Sequence, residues 1–170
     1  MNTTTDRELL VNRIRGYFKR RYTGDDPARA CLYWAQATTE VITVKTGQRC
    51  IIQAGTLNWP IVTVEQDDGV SPTHLSFEWN PDHIASKFAR DCGKMPEMHV
   101  WAAIPDTGEI IDMTTRFLPQ IANTFKLVWR GPQPPEYFWG TSEELPDDRI
   151  RYAANMPAIR LALAMIEASW

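Results

Sequence analysis

The sequence predicts an α+β fold, with an antiparallel sheet packed against a helix and additional helices at the N- and C-termini. Three observations predict it. Apolar residues recur at helical spacing in the first and last parts of the chain, and between them the pattern alternates as strands do. The strand runs are joined by short turn signals in hairpin order, so a parallel doubly wound sheet is excluded. The chain has 170 residues, which suits a single domain over residues 1–170 with one buried core.

The first helix is predicted over Asp6 to Tyr22. Thr5 and Glu8 have the spacing of a capping box, and Leu10, Ile14, Tyr17 and Phe18 fall on one stripe. Its other face carries Arg13, Arg15, Lys19, Arg20 and Arg21, read as a solvated face. A second helix follows from Pro27 to Lys45, with Asp26 as N-cap, Pro27 at the first helical position and Gly47 as its stop. Its apolar stripe is Cys31, Trp34, Ala35, Thr38 and Ile42.

Strands are then expected over Cys50 to Ala54, Trp59 to Glu65 and His74 to Trp79, with a turn at Asp67-Asp68-Gly69. A short helix is expected at Pro81 to Arg90. Met98 to Ile104 and Glu109 to Met113 flank Pro105-Asp106-Thr107-Gly108 as a hairpin, and Phe125 to Trp129 reads as a further strand. The stretch Gly131 to Asp148 holds four prolines and is expected to be irregular. A terminal helix from Ala154 to Ser169 places Ile159, Leu163 and Ile166 at helical spacing. Trp34, Trp59, Trp79, Trp101 and Trp129 fall within these elements and are expected in the core.

Composition narrows the function classes. Eighteen Lys and Arg against 21 Asp and Glu give a net charge of −3, which points to neither a nucleic acid nor a membrane partner. Three cysteines without a CxxC pair favour neither a disulfide framework nor structural zinc. His74 and His83 stand on different elements with no ligand partner at metal-binding spacing, and no Gly-rich phosphate loop occurs. Neither metal nor cofactor is expected. Without a signal pattern or a long apolar run, the chain is expected to be cytoplasmic.

Cys31 is the residue that can carry chemistry, because a thiol near the start of a helix and beside an imidazole becomes a nucleophile. If the helix begins at Pro27 the field of its terminus is weak there, and the imidazole must supply the activation. His99 and Asp112 lie on the two strands of the hairpin. A two- or four-residue turn sets Trp101 opposite Asp112 and His99 opposite Thr114, so that His99 and Asp112 are diagonal neighbours on one face. A three-residue loop with Gly108 left-handed shifts the register by one and turns Asp112 to the other face. Cys50 and Cys92 read as packing residues.

The order Ala30-Cys31-Leu32, Gly47 before the next strand, His99-Val100-Trp101 and Ile111-Asp112-Met113-Thr114 resembles the transglutaminase-like branch of the papain-like cysteine enzymes. The resemblance spans roughly residues 27–115. It implies Cys31 as nucleophile, His99 as general base and then acid, and Asp112 as the orienter of His99. The implied reaction is acyl transfer or hydrolysis at an amide, isopeptide or ester bond, through a thioester and with no cofactor. A peptide or protein is the implied substrate. The Cys31 backbone N–H is the default oxyanion donor; the Gln that papain-type enzymes carry six residues upstream is Asp25 here. Tyr22 and Trp34 are the substitutes considered, and with Trp101 they are expected to wall the site. The alternative reading is an inactive protein-interaction module of the same fold. Its surface would be the aromatic segment Gly131 to Trp139, whose simpler reading is that it seals the sheet edge.

Overall fold

The computed structural model describes residues 4–24, 30–63, 73–78 and 98–168. Helix α1 spans Thr4–Arg21, so Thr5 lies inside it and not at its cap. Leu10, Ile14 and Phe18 of the expected stripe are buried, joined by Val11, while Tyr17 is half-buried. Lys19, Arg20 and Arg21 close it, where cations complement the helix dipole.

Helix α2 spans Cys31–Thr46 with Ala30 at the cap position. It therefore starts later than expected, and Cys31 is its first residue; Asp26 and Pro27 lie outside the described residues. Leu32, Trp34, Ala35, Thr38 and Ile42 are buried along its length. Gly47 ends it at φ 71°, its N–H reaching the Thr43 carbonyl at 3.0 Å, a left-handed cap that glycine adopts without a Cβ clash. Phe18 stacks on Trp34 with ring centroids 3.6 Å apart and ties α1 to α2.

Six antiparallel strands form one sheet. They are β1 (Ile51–Pro60), β2 (His74–Phe77), β3 (His99–Ile104), β4 (Glu109–Asp112), β5 (Phe138–Gly140) and β6 (Arg151–Ala154). The order is β2-β1-β3-β4-β5, with β6 also paired to β1. The two strands expected on either side of Gly55 are one continuous strand. Gly55 is in register with both His99 of β3 and Ala154 of β6, so the glycine marks a change of partner and not a break.

The hairpin settles the register. Ile104 pairs with Glu109 across four turn residues, and Ala102 pairs with Ile111. Gly108 is left-handed at φ 71°, yet the loop keeps four residues, so Asp112 falls on the Trp101 face.

Two stretches depart from expectation. Phe125 to Trp129 is not a strand: a 3-10 turn at Thr115–Phe117 leads into helix α3 (Leu118–Thr124), and Lys126 then takes φ 61°, which no strand accommodates. Leu127 and Trp129 still pack on the core beside β1 and β2, which explains their alternating apolar pattern. The proline-rich stretch is not wholly irregular. Past Pro135 the backbone regains its N–H groups, and Phe138–Gly140 pairs with β4. Helix α4 spans Met156–Ala168 and starts where the Asn155 side chain accepts the Ala158 N–H at 2.9 Å. Ala154, expected as the first residue of this helix, is instead the last residue of β6.

Trp34, Trp59 and Trp101 are buried and Trp129 is half-buried. Trp79, the turn at Asp67-Asp68-Gly69 and the helix at Pro81 to Arg90 lie outside the described residues. Leu32, Ala35, Ala54, Val100, Ala158 and Ala162 form a small cluster where α2, β1, β3 and α4 meet, and Cys31 packs against it. No described helix is long and apolar enough to cross a membrane.

Candidate active site

Asp112 ends β4 and is 1% exposed, so its carboxylate depends on protein donors. It has four. Oδ2 lies 2.8 Å from His99 Nε2 and accepts the Tyr152 hydroxyl, also at 2.8 Å. Oδ1 accepts the Thr114 backbone N–H at 2.8 Å and its hydroxyl at 2.6 Å. Burial by itself raises the carboxyl pKa, but the facing His99 charge and these hydrogen bonds outweigh it and hold Asp112 below its usual value. At neutral pH the group is a carboxylate.

A carboxylate only accepts, so the proton shared with His99 belongs to Nε2. The second ring nitrogen, Nδ1, is the one left without Asp112 as partner. The ring is 2% exposed and held by aromatic neighbours: Phe77 at 5.3 Å, with Trp101 and Tyr152 each at 6.1 Å between ring centroids. Trp101 thus lies against the imidazole.

Cys31 is partly exposed at the first position of α2. Burial pushes its thiol up to about 11; the backbone N–H groups of Val100, Leu32 and Cys31 itself favour the thiolate, while the Asp112 charge opposes it. Cys31 packs against the cluster that includes Val100, the strand residue after His99.

Tyr22 and Trp34 belong elsewhere, and their expected place in the wall is corrected. Trp34 is covered by Phe18 and approached by the Arg116 guanidinium at 5.9 Å, while Tyr22 stacks on Phe18 at 4.9 Å and meets Tyr33 at 5.2 Å. Both build the α1–α2 interface. Asp25, His83 and Cys92 lie outside the described residues. His74 Nδ1 meets the Thr73 hydroxyl at 2.8 Å, and no group of three metal-ligating side chains occurs among the described residues. Cys50 is buried, and burial pushes its thiol up to about 11 with Thr39 acting in the opposite direction.

Tyr152 went unpredicted. Burial, the Asp112 charge and the hydrogen bond to Asp112 all raise its pKa well above the ordinary value, so it is a permanent donor. Its signal was slight, because a tyrosine immediately before a pair of alanines reads as a helix approach. Thr114, by contrast, stood in the aspartate motif, and its purpose is to saturate Oδ1.

Fold and site together define an α+β chain with a buried His–Asp pair and a cysteine at a helix start. No protein-family model matches the chain, and no curated protein matches it. Among solved structures it is similar to the crystal structure of genomics APC5867, at a TM-score of 0.52 and 15% identity, covering 99% of this chain and 72% of that one. At that identity the likeness is one of fold alone.

Proposed function

We propose that the chain is a cysteine-dependent hydrolase or acyltransferase of the transglutaminase-like branch, acting on an amide, isopeptide or ester bond of a peptide or protein. The observation that carries the reading is the buried 2.8 Å contact between His99 Nε2 and Asp112 Oδ2. It leaves Nδ1 to take the Cys31 proton as the sulfur attacks the substrate carbonyl carbon. The C–S bond forms, the oxyanion develops toward the Cys31 backbone N–H, and collapse expels the amine or alcohol with the proton returned from His99. Water or an amine then attacks the thioester, giving up its proton to His99, and Cys31 leaves as the free thiol.

A raised thiol pKa favours a second reading, the inactive interaction module. A pKa of about 11 leaves roughly one thiolate in ten thousand at pH 7, so the nucleophile depends on His99 removing the proton during attack. Iodoacetamide labelling of the folded protein at neutral pH separates the readings. The enzyme reading expects Cys31 to react at least about tenfold faster than Cys50, His99→Ala to remove that advantage, and an acyl ester probe to label the wild type but not Cys31→Ala. Slow, equal reaction of both thiols with no acylation selects the inactive module.

A further inference from the structure

The basic face of α1 is not a bare solvated stripe. Arg15 Nη2 and Arg116 Nη1 converge on the same oxygen, Glu136 Oε1, at 2.7 and 3.2 Å. Glu136 sits in the proline-rich segment, and its side chain is 57% exposed. Arg15 Nε is buried with no hydrogen-bond partner among the described residues. Lys19, one helical turn beyond Arg15, lines the same cleft, whose volume is about 500 Å³ and whose lining includes Phe18 and Trp34. Among the described residues, three cations there face a single carboxylate.

We propose that this cleft binds an acidic peptide segment, whose glutamate or aspartate carboxylate displaces Glu136 from between the two guanidiniums. Glu136 is itself a peptide-borne carboxylate, presented by a stretch that is neither helix nor strand, and so displays the chemistry the cleft accepts. Arginine pairs hold a carboxylate by directed, charge-assisted hydrogen bonds, and the excess positive charge favours an incoming anion over the one in place. The half-buried Tyr22 ring in the same lining offers a neighbouring peptide residue an apolar surface. Trp34 lies one helical turn after Cys31 on α2. Resting on the catalytic reading above, the proposal makes an acidic residue part of the substrate class.

The test is fluorescence polarisation with a labelled peptide carrying consecutive glutamates, its glutamine counterpart as control, at about 0.15 M salt. Binding is measured to the full chain and to Cys31→Ala, Glu136→Gln, Arg15→Gln, Arg116→Gln and Arg160→Gln, with folding checked by circular dichroism. Glu136→Gln removes the internal competitor and is expected to tighten binding about threefold or more; either cleft arginine variant is expected to weaken it about tenfold, while Arg160→Gln on α4 has no effect. Unchanged affinity in Glu136→Gln overturns the proposal even if the arginine variants fail to fold. So do glutamine peptides that bind equally, or displacement by inorganic phosphate but not by free glutamate. Cys31→Ala is expected to bind as the wild type does; peptide binding by a wild type whose Cys31 fails the alkylation and acyl-probe tests overturns the catalytic reading and leaves the cleft standing.

Discussion

Asp112 is saturated by donors from three directions, and the Tyr152 hydroxyl is the one that comes from the far end of the chain. A hydrogen bond to a charged, buried acceptor is worth about 1.5–3 kcal/mol, so Tyr152→Phe is expected to lower stability by about 2 kcal/mol at neutral pH. The pH dependence separates this bond from simple packing. Asp112 is held below its unfolded value, so its contribution to stability is present above about pH 4 and is lost as the pH falls through the folded pKa. Without the Tyr152 donor that depression shrinks. Urea melts of wild type and Tyr152→Phe are therefore expected to differ most above about pH 5 and to converge on acidification; a constant gap would mean that the tyrosine only fills space. The His99–Asp112 pair was legible as one of two registers: alternation puts both side chains on one face for a two- or four-residue turn and on opposite faces for a three-residue loop, and the four-residue turn selects the first. Tyr152 was not, because it arrives through a tertiary pairing that no local pattern encodes.

At the scale of elements, the joint at Gly55 decides whether Tyr152 can reach Asp112 at all. β6 lies so close to β1 there that a Cβ on Gly55 would stand 2.1 Å from the Ala153 carbonyl oxygen. Backbone cannot yield as a flexible side chain does, so Gly55→Ala is expected to cost about 2–3 kcal/mol or more. The loss should be local first: amide exchange in β6 is expected to accelerate before that of β3 and β4, since β3 keeps its partners on both sides. Uniform acceleration across the sheet would show that β6 is not a separable unit. The same joint explains what the sequence hid. A mid-strand glycine reads as a break, and Ala154 reads as the first residue of a helix; only the pairing of Gly55 with Ala154 makes both of them strand. The helices were easier, because the buried stripe of α1 and the glycine stop of α2 are local signals, whereas Cys31 became the first residue of α2 only in three dimensions.

For the whole molecule, the α+β class and the segregated helices were visible in the order of periodicities, while the two short strands that complete the sheet, β5 and β6, depend on pairing with distant residues. Folding around that sheet buries acids that ionise only at high pH. Cys50 is 6% exposed and its thiol is raised from 9.0 to about 11, while Tyr152 is raised further. Each of these groups is neutral when protonated and has a folded pKa above its unfolded one, so its contribution is complete below the unfolded pKa and drains away as pH rises toward the folded value. At about 1.4 kcal/mol per pH unit, Cys50 alone accounts for a decline on the order of 3 kcal/mol between pH 9 and 11. Urea melts across that window are expected to show a steep loss in the wild type. Cys50→Ala starts less stable because of the small cavity, but its curve should be shallower by roughly the Cys50 share. Parallel curves for the two proteins would mean that the Cys50 thiol ionises as readily folded as unfolded, and that the packing of α2 against the sheet is looser than the buried Cys50 implies.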